Sequence, residues 1–256
     1  DCEEQDDLSI GIAFLNQKPR LAYRDLAFSF KEVSDGILIK RDGKILGTYN
    51  VVSKPKCLRC SYPLLKSGQC PRAGDHSPAL AKLYSIGLYY KYDHKTYDDL
   101  SRTIVYLKRH VHIAERLAAT IVYLIKSKYQ ELLTFDCITP VPQHPSALKV
   151  DTASKLRYNQ AAELAKWIQE GIPQLIVVEA LAKTKNVSMG NTGESERDEK
   201  TSGLYECISN IVENKKVLLV DDVSTTGNTL NTCAKALVNS RAKEVRAFVC
   251  GINHRD

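Results

Sequence analysis

Lys216-Val217-Leu218-Leu219-Val220-Asp221-Asp222-Val223-Ser224-Thr225-Thr226-Gly227-Asn228-Thr229-Leu230 is the stretch on which the reading of this chain turns. Four apolar residues in a row, 217–220, predict a strand buried on both faces, as in a parallel sheet. Two adjacent carboxylates, Asp221 and Asp222, follow at its C-terminal edge, where open α/β sheets hold their ligands. Ser224, Thr225, Thr226, Gly227, Asn228 and Thr229 then bring hydroxyls and a glycine to the start of a helix expected over 229–239. Backbone N–H groups at a helix start, together with the helix dipole, attract anions. Gly227 lets the backbone approach such an anion closely, and the threonine hydroxyls can donate to it. The same residue types cap ordinary helices. Only the combination of buried strand, paired acids and hydroxyl turn favours an anion site over a cap.

The two acids constrain the chain further. Successive strand residues point to opposite faces, so both carboxylates reach one ligand only if the chain turns there. The neighbouring hydroxyls of a ribose suit such a pair, and a hydrated magnesium ion can join through them.

Outward from this stretch the pattern alternates between strand and helix. A last strand is expected over 245–251. Upstream, Phe135 to Thr139 forms a short apolar run ending at Pro140-Val141-Pro142. A helix is expected over 159–169, stopped by Gly171 and Pro173, and a strand over 175–178. Ile104, Leu107, Val111, Ala114, Ala118, Ile121 and Ile125 recur at spacings of three and four, which predicts one long amphipathic helix over 104–125. Residues 184–203 are polar and read as a long mobile loop. Strands alternating with helices predict an α/β domain over 79–256: a mostly parallel twisted sheet flanked by helices.

Two shorter segments precede it. Residues 1–53 read as an extension with a hairpin around Arg41-Asp42-Gly43-Lys44, Asp-Gly between apolar runs being a strong hairpin signal. Residues 54–78 are rich in Pro, Gly and Cys and cannot build a core unaided. Cys57 and Cys60 stand at zinc-knuckle spacing, Cys70 follows, and His76 completes a Cys3His set for a structural zinc ion. Cys2 could take the place of His76, and free thiols are the alternative to any metal. The basic residues nearby permit nucleic-acid contact, although Tyr62 is the lone aromatic among them.

Composition narrows the class. The chain has 256 residues and a formal net charge of +6, a balance that suits anionic ligands as well as a plain solvated surface. No apolar run reaches the ~18 residues of a membrane span, so no membrane partner is expected. Eight cysteines, most of them scattered, fit a reducing compartment and a cytoplasmic location rather than a disulfide framework. The chain begins at Asp1 and its one methionine is Met189, so a trimmed or partial product is expected.

These motifs together resemble the ComF-like branch of the type I phosphoribosyltransferases. The resemblance rests on 217–230 and on the amino-terminal cysteines. It rests also on Leu107-Lys108, on Asp136-Cys137-Ile138-Thr139-Pro140-Val141-Pro142 followed by Tyr158-Asn159-Gln160, and on Arg197 ahead of Tyr205. It spans roughly 57–253. It implies that Asp221 and Asp222 hold the ribose hydroxyls of phosphoribosyl pyrophosphate with Mg2+, and that Ser224 to Thr229 cradle the 5-phosphate. It further implies that Val141, Gln143 and Lys108 lie on the pyrophosphate side, with Arg197 reaching over from the loop. The implied activity is magnesium-dependent phosphoribosyl transfer to a nitrogenous base.

The sequence departs from the family in places. Leu156-Arg157 stands where the family has Arg-Gly, Ser188-Met189-Gly190 where a glutamine is frequent, and Asn228, which is no general base, follows Thr226-Gly227. These changes keep a second reading open, a catalytically silent phosphoribosyl-pyrophosphate sensor or accessory protein in DNA uptake and processing. A third is a zinc-knuckle nucleic-acid module on an α/β scaffold. The resemblance also admits DNA or DNA-processing proteins as partners, and a homodimer.

Overall fold

The apolar run ending at Val220 lies inside a five-stranded parallel sheet. The computed structural model describes residues 8–10, 28–34, 36–50, 57, 59–60, 62–71, 73–90, 98–184 and 204–254. Along the chain come β1 (Leu8–Ile10), β2 (Phe28–Val33), β3 (Gly36–Arg41), β4 (Lys44–Asn50), β5 (Lys82–Tyr89), α1 (Asp99–Leu107) and α2 (Ile113–Ser127). Then follow β6 (Cys137–Pro140), β7 (Lys149–Val150), β8 (Arg157–Tyr158), α3 (Gln160–Gly171), β9 (Ile176–Val177), β10 (Leu181–Lys183), β11 (Tyr205–Cys207), β12 (Lys216–Ser224), α4 (Asn228–Asn239) and β13 (Glu244–Asn253). The central sheet has the order β5-β13-β12-β6-β9, and every neighbouring pair is parallel.

Parallel strands need crossovers, and these put helices on both faces. Alternation along β12 shows it. Val217 and Leu219 pack with Leu230, Cys233 and Leu237 of α4. Leu218 and Val220 pack with the cluster that holds Ile104 of α1, Ile121 of α2 and Leu164 of α3. Both faces of the strand are therefore buried, as its uninterrupted apolar run predicts. From β6 the chain passes through α3 to β9 on one flank, and from β12 through α4 to β13 on the other. The connections diverge between β6 and β12, which makes the crevice at the C-terminal ends of those two strands the place for a ligand.

One expected element divides. In place of a single helix over 104–125 there are α1 and α2, separated by 108–112. A continuous helix would bond the Val111 N–H to the Leu107 carbonyl. Here Asp151 Oδ1 accepts the Val111 N–H at 2.9 Å, and the Tyr158 hydroxyl donates to the Leu107 carbonyl at 2.5 Å. Both halves of the missing bond are satisfied from the β7–β8 hairpin, and the break brings Lys108 to the sheet's C-terminal edge.

The hairpin expected near Asp42 is β3–β4, with positive φ at Asp42 (50°) and Gly43 (75°), as tight hairpin turns require. With β1 and β2 it forms a four-stranded antiparallel sheet. Phe28, Phe30, Ile37, Ile39 and Tyr49 belong to the same buried cluster as α1 and α2. Residues 185–203 lie outside the described residues, so the expected mobile loop does too.

Candidate functional site

The two acids stand at the end of β12, in the crevice. β12 keeps its register with β13 beyond them, Asp221 opposite Val249, Val223 opposite Gly251 and Ser224 opposite Ile252. The chain therefore does not turn at the acids, contrary to the expectation from their joint use. Instead each carboxylate folds along the backbone: Asp221 Oδ1 accepts the Asp222 N–H and Asp222 Oδ1 accepts the Val223 N–H, both at 2.8 Å. Burial, and then the Asp222 charge beside it, push the Asp221 carboxyl well above the usual carboxylate range. Lys108 Nζ lies 4.0 Å from Asp222 Oδ2 and 5.9 Å from the Tyr89 ring centre, and its charge acts in the opposite direction on Asp221. Two crowded carboxylates with one cation beside them form a site that a hydroxyl pair or a divalent cation would relieve.

The turn after them leads into α4. Its N-cap is Gly227, with φ of 85° and no side-chain cap. A residue with a Cβ would be strained there. The Asn231 N–H bonds to the Gly227 carbonyl at 2.8 Å, so the amides of 228–230 are those an α-helix leaves without intrahelical acceptors. The Thr226 hydroxyl accepts weakly from the Asn228 N–H at 3.4 Å. Ser224 Oγ is buried and has no hydrogen-bond partner among the described residues.

The opposite lip of the crevice is the turn after β6. The Val141 N–H donates to the Val220 carbonyl at 2.9 Å and prolongs the sheet ladder, so in this conformation that amide is not offered to an anion. Gln143 lies beyond the ladder. Its Nε2 donates to Gln160 Oε1 at 2.6 Å, and the Asn159 Nδ2 donates to the Val141 carbonyl at 2.9 Å. Asn159 also caps α3 by accepting the Ala161 N–H at 3.0 Å. Asn159 and Gln160 thus fix the turn. Their single signal in the sequence was the Tyr158-Asn159-Gln160 triplet, which carries no spacing that marks a site. Arg197 lies outside the described residues.

Cys57, Cys60, Cys70 and His76 meet at one point, with donor atoms all within 4.8 Å of one another. Cys60 Sγ lies 3.5 Å from Cys70 Sγ, and His76 Nε2 lies 3.6 Å from Cys57 Sγ and 3.7 Å from Cys70 Sγ. A tetrahedral ion with Zn–S of about 2.3 Å and Zn–N of about 2.0 Å sets ligand separations of about 3.5–3.8 Å. The four residues fit such an ion, with His76 as the fourth member of the set among the described residues; Cys2 lies outside them. All described cysteines are free of disulfides. No helix among the described residues is long and apolar enough to cross a membrane.

The model of the phosphoribosyl transferase domain family matches residues 154–253. No curated protein matches. Among solved structures the chain is similar to the allosteric regulatory enzyme of purine biosynthesis, with 19% identity over 53% of this chain and 25% of that one, at a TM-score of 0.34. It is also similar to glutamine phosphoribosylpyrophosphate amidotransferase from B. subtilis complexed with ADP and GMP. There the identity is 14% over 87% of this chain and 37% of that one, and the TM-score 0.35. The chain thus corresponds to about a quarter and over a third of those two proteins. Residues 154–253, which carry the paired acids, the hydroxyl turn and the Asn159-Gln160 brace on a parallel sheet flanked by helices, match the phosphoribosyl transferase domain.

Proposed function

We propose that the crevice between β6 and β12 binds phosphoribosyl pyrophosphate and that the chain transfers its phosphoribosyl group to a nitrogenous base. The observation that carries this reading is the juxtaposition at the end of β12. Two crowded carboxylates lead within a few residues into a helix start rich in hydroxyls, at the point where the sheet's connections diverge. A sugar diol beside a phosphate is the ligand shape that such a pair of features suits.

In this reading Asp221 and Asp222 hold the ribose hydroxyls, and 224–229 receive the 5-phosphate. Lys108, Gln143 and Arg197 face the pyrophosphate, while the Val141 amide serves it only after leaving the Val220 carbonyl. The C1–oxygen bond breaks with its electron pair going to pyrophosphate, and the base nitrogen forms the new bond to C1. The protein's task is to fix the geometry and to stabilise developing charge, and no nucleophilic side chain is needed. Asp221 and Asp222 are the residues that would hold Mg2+ through the bound diol, and that ion supplies charge neutralisation for the leaving group. A zinc ion on Cys57, Cys60, Cys70 and His76 would be structural. A binding protein without turnover is the second reading, and the commitment of the Val141 N–H to the sheet favours it.

Calorimetric titration of the Asp221→Asn, Asp222→Asn double variant tests the site. Loss of phosphoribosyl-pyrophosphate binding is expected, and unchanged affinity would refute the assignment. Pyrophosphate release from a panel of free bases with magnesium separates the two readings: release with one base supports transfer, and none with any base leaves the binding protein.

A further inference from the structure

The cysteine–histidine knuckle lies against the phosphate turn. Arg59, Cys60, His76 and Ser77 line a cavity of about 20 Å3 together with Leu80, Leu83, Gly227 and Asn231. A space of that size holds about one water molecule, so the knuckle and the first turn of α4 are near neighbours. The knuckle is also tied to the sheet. The Leu83 N–H of β5 donates to the Arg59 carbonyl at 2.6 Å, and the Arg59 guanidinium donates to the Ser77 carbonyl at 2.8 Å. Cys60 and Tyr62 belong to the same buried cluster as Leu230, Cys233 and Ala234 of α4.

Two facts make this contact consequential. The segment from Cys57 to His76 has too few apolar groups to hold its shape unaided, so an ion bound by its four ligands would supply folding energy. At Gly227 the phosphate turn has no side chain to cap it and the Thr226 hydroxyl holds the Asn228 N–H only weakly, at 3.4 Å, so what packs around the turn helps to set its position. We propose that the metal-closed knuckle braces the 5-phosphate turn, with Arg59 as the positioning residue between them, so that metal occupancy and sugar-phosphate binding are coupled. The inference rests on the reading of 224–229 as the phosphate site. Coupling of this kind is reciprocal: if the ion favours the sugar phosphate, the sugar phosphate favours the ion by the same factor.

The test uses the full chain, zinc-loaded and zinc-stripped, with ribose 5-phosphate as the probe. Stripping is expected to raise the Kd for ribose 5-phosphate by about fivefold or more. Saturating ribose 5-phosphate should raise the zinc affinity, read by competition with a chromophoric chelator, by the same factor. The zinc-loaded R59A variant should bind ribose 5-phosphate more weakly, and its zinc affinity should no longer respond to the sugar phosphate. R59K, which keeps a charge able to reach the Ser77 carbonyl, should restore part of both effects. Equal Kd values with and without zinc, or a zinc affinity indifferent to ribose 5-phosphate, would overturn the coupling and leave the phosphate site standing. If neither form binds ribose 5-phosphate, the phosphate site and the coupling fall together. Should stripping also abolish the far-UV circular dichroism, the zinc-loaded R59A variant decides, and wild-type values for both readouts would refute the brace.

Discussion

Burial and the neighbouring Asp222 charge raise the Asp221 carboxyl well above the range it has in an unfolded chain. The folded protein therefore holds a proton there at a pH where the unfolded chain, with an Asp pKa of about 3.9, has released it. Where the native state binds more protons, stability falls as pH rises, so this site costs stability from about pH 4 upward through its raised pKa. Asp221→Asn removes that cost, and its amide can donate to Asp222. We expect the variant to melt above the wild type at pH 8 by about 2–4 °C, the shift that about 1 kcal/mol gives in a chain of this size. The gap should shrink at pH 5, where the wild-type carboxyl is protonated more fully. Scanning calorimetry at the two pH values checks this, and a variant that melts lower at pH 8 would show that the ionised acid is well solvated. For ligand binding the sign reverses: the ionised carboxylate is the form that accepts the ribose hydroxyls, so affinity for phosphoribosyl pyrophosphate should strengthen as pH rises through the Asp221 pKa.

Among the elements, the break between α1 and α2 is the instructive case. Its apolar period runs on from Ile104 to Ile125 because both helices bury their stripes in one cluster. Nothing in that period records the interruption. The groups that cause it, Asp151 and Tyr158, are about 40 and 51 residues away in sequence from their partners, where no local pattern reaches. Strands β6, β12 and β13 and helices α3 and α4 were legible, since each is a buried apolar run or stripe bounded by caps and turn residues. The Val141 ladder bond and the Gln143–Gln160 pair were not, because they depend on which strand neighbours β6. Asp151 accepts the amides of Val111, Ala153 and Ser154 and the Ser154 hydroxyl. The Ser154 and Val111 amides lead in holding its carboxyl far below the usual range. Its stabilisation is thus present above an unfolded pKa of about 3.9 and is lost as pH falls through the depressed folded value. In Asp151→Ala, backbone amides of 108–112 and 151–156 should exchange with deuterium faster than in the wild type while β12 and β13 stay protected. Phosphoribosyl-pyrophosphate affinity should drop as Lys108 loses its support. Unaltered exchange in both segments would show that the break is held by something else.

Across the whole molecule, the amino-terminal sheet is where local reading runs out. Asp42-Gly43 announces a hairpin, but no residue in it says which surface the hairpin will cover. That surface is formed by α1, α2 and the start of the central sheet. Phe30 stacks on Tyr123 with ring centres 4.9 Å apart, Glu32 pairs with Lys128 at 2.8 Å, and the Thr48 N–H donates to Asp99 at 3.0 Å. The approach is tightest where β4 ends over β5. A Cβ on Gly87 would meet the Asn50 carbonyl oxygen closer than real side chains come, and would press on Leu100 at 3.0 Å. Backbone cannot rotate away as a side chain can, so Gly87→Ala must push the two sheets apart, at the ~1–3 kcal/mol typical of overpacking. A fall in Tm of several degrees is expected, with ribose 5-phosphate affinity retained in the folded fraction, since β13 separates β5 from β12. Gly74→Ala is the control, because a Cβ there meets nothing within 4 Å. If the two variants melt together, the amino-terminal strands do not bear on the central sheet at Gly87. If Gly87→Ala alone falls, a chain that starts at Lys54 should lose its cooperative melt, because the faces of α1 and α2 that Phe28, Phe30 and Tyr49 cover would be left in water.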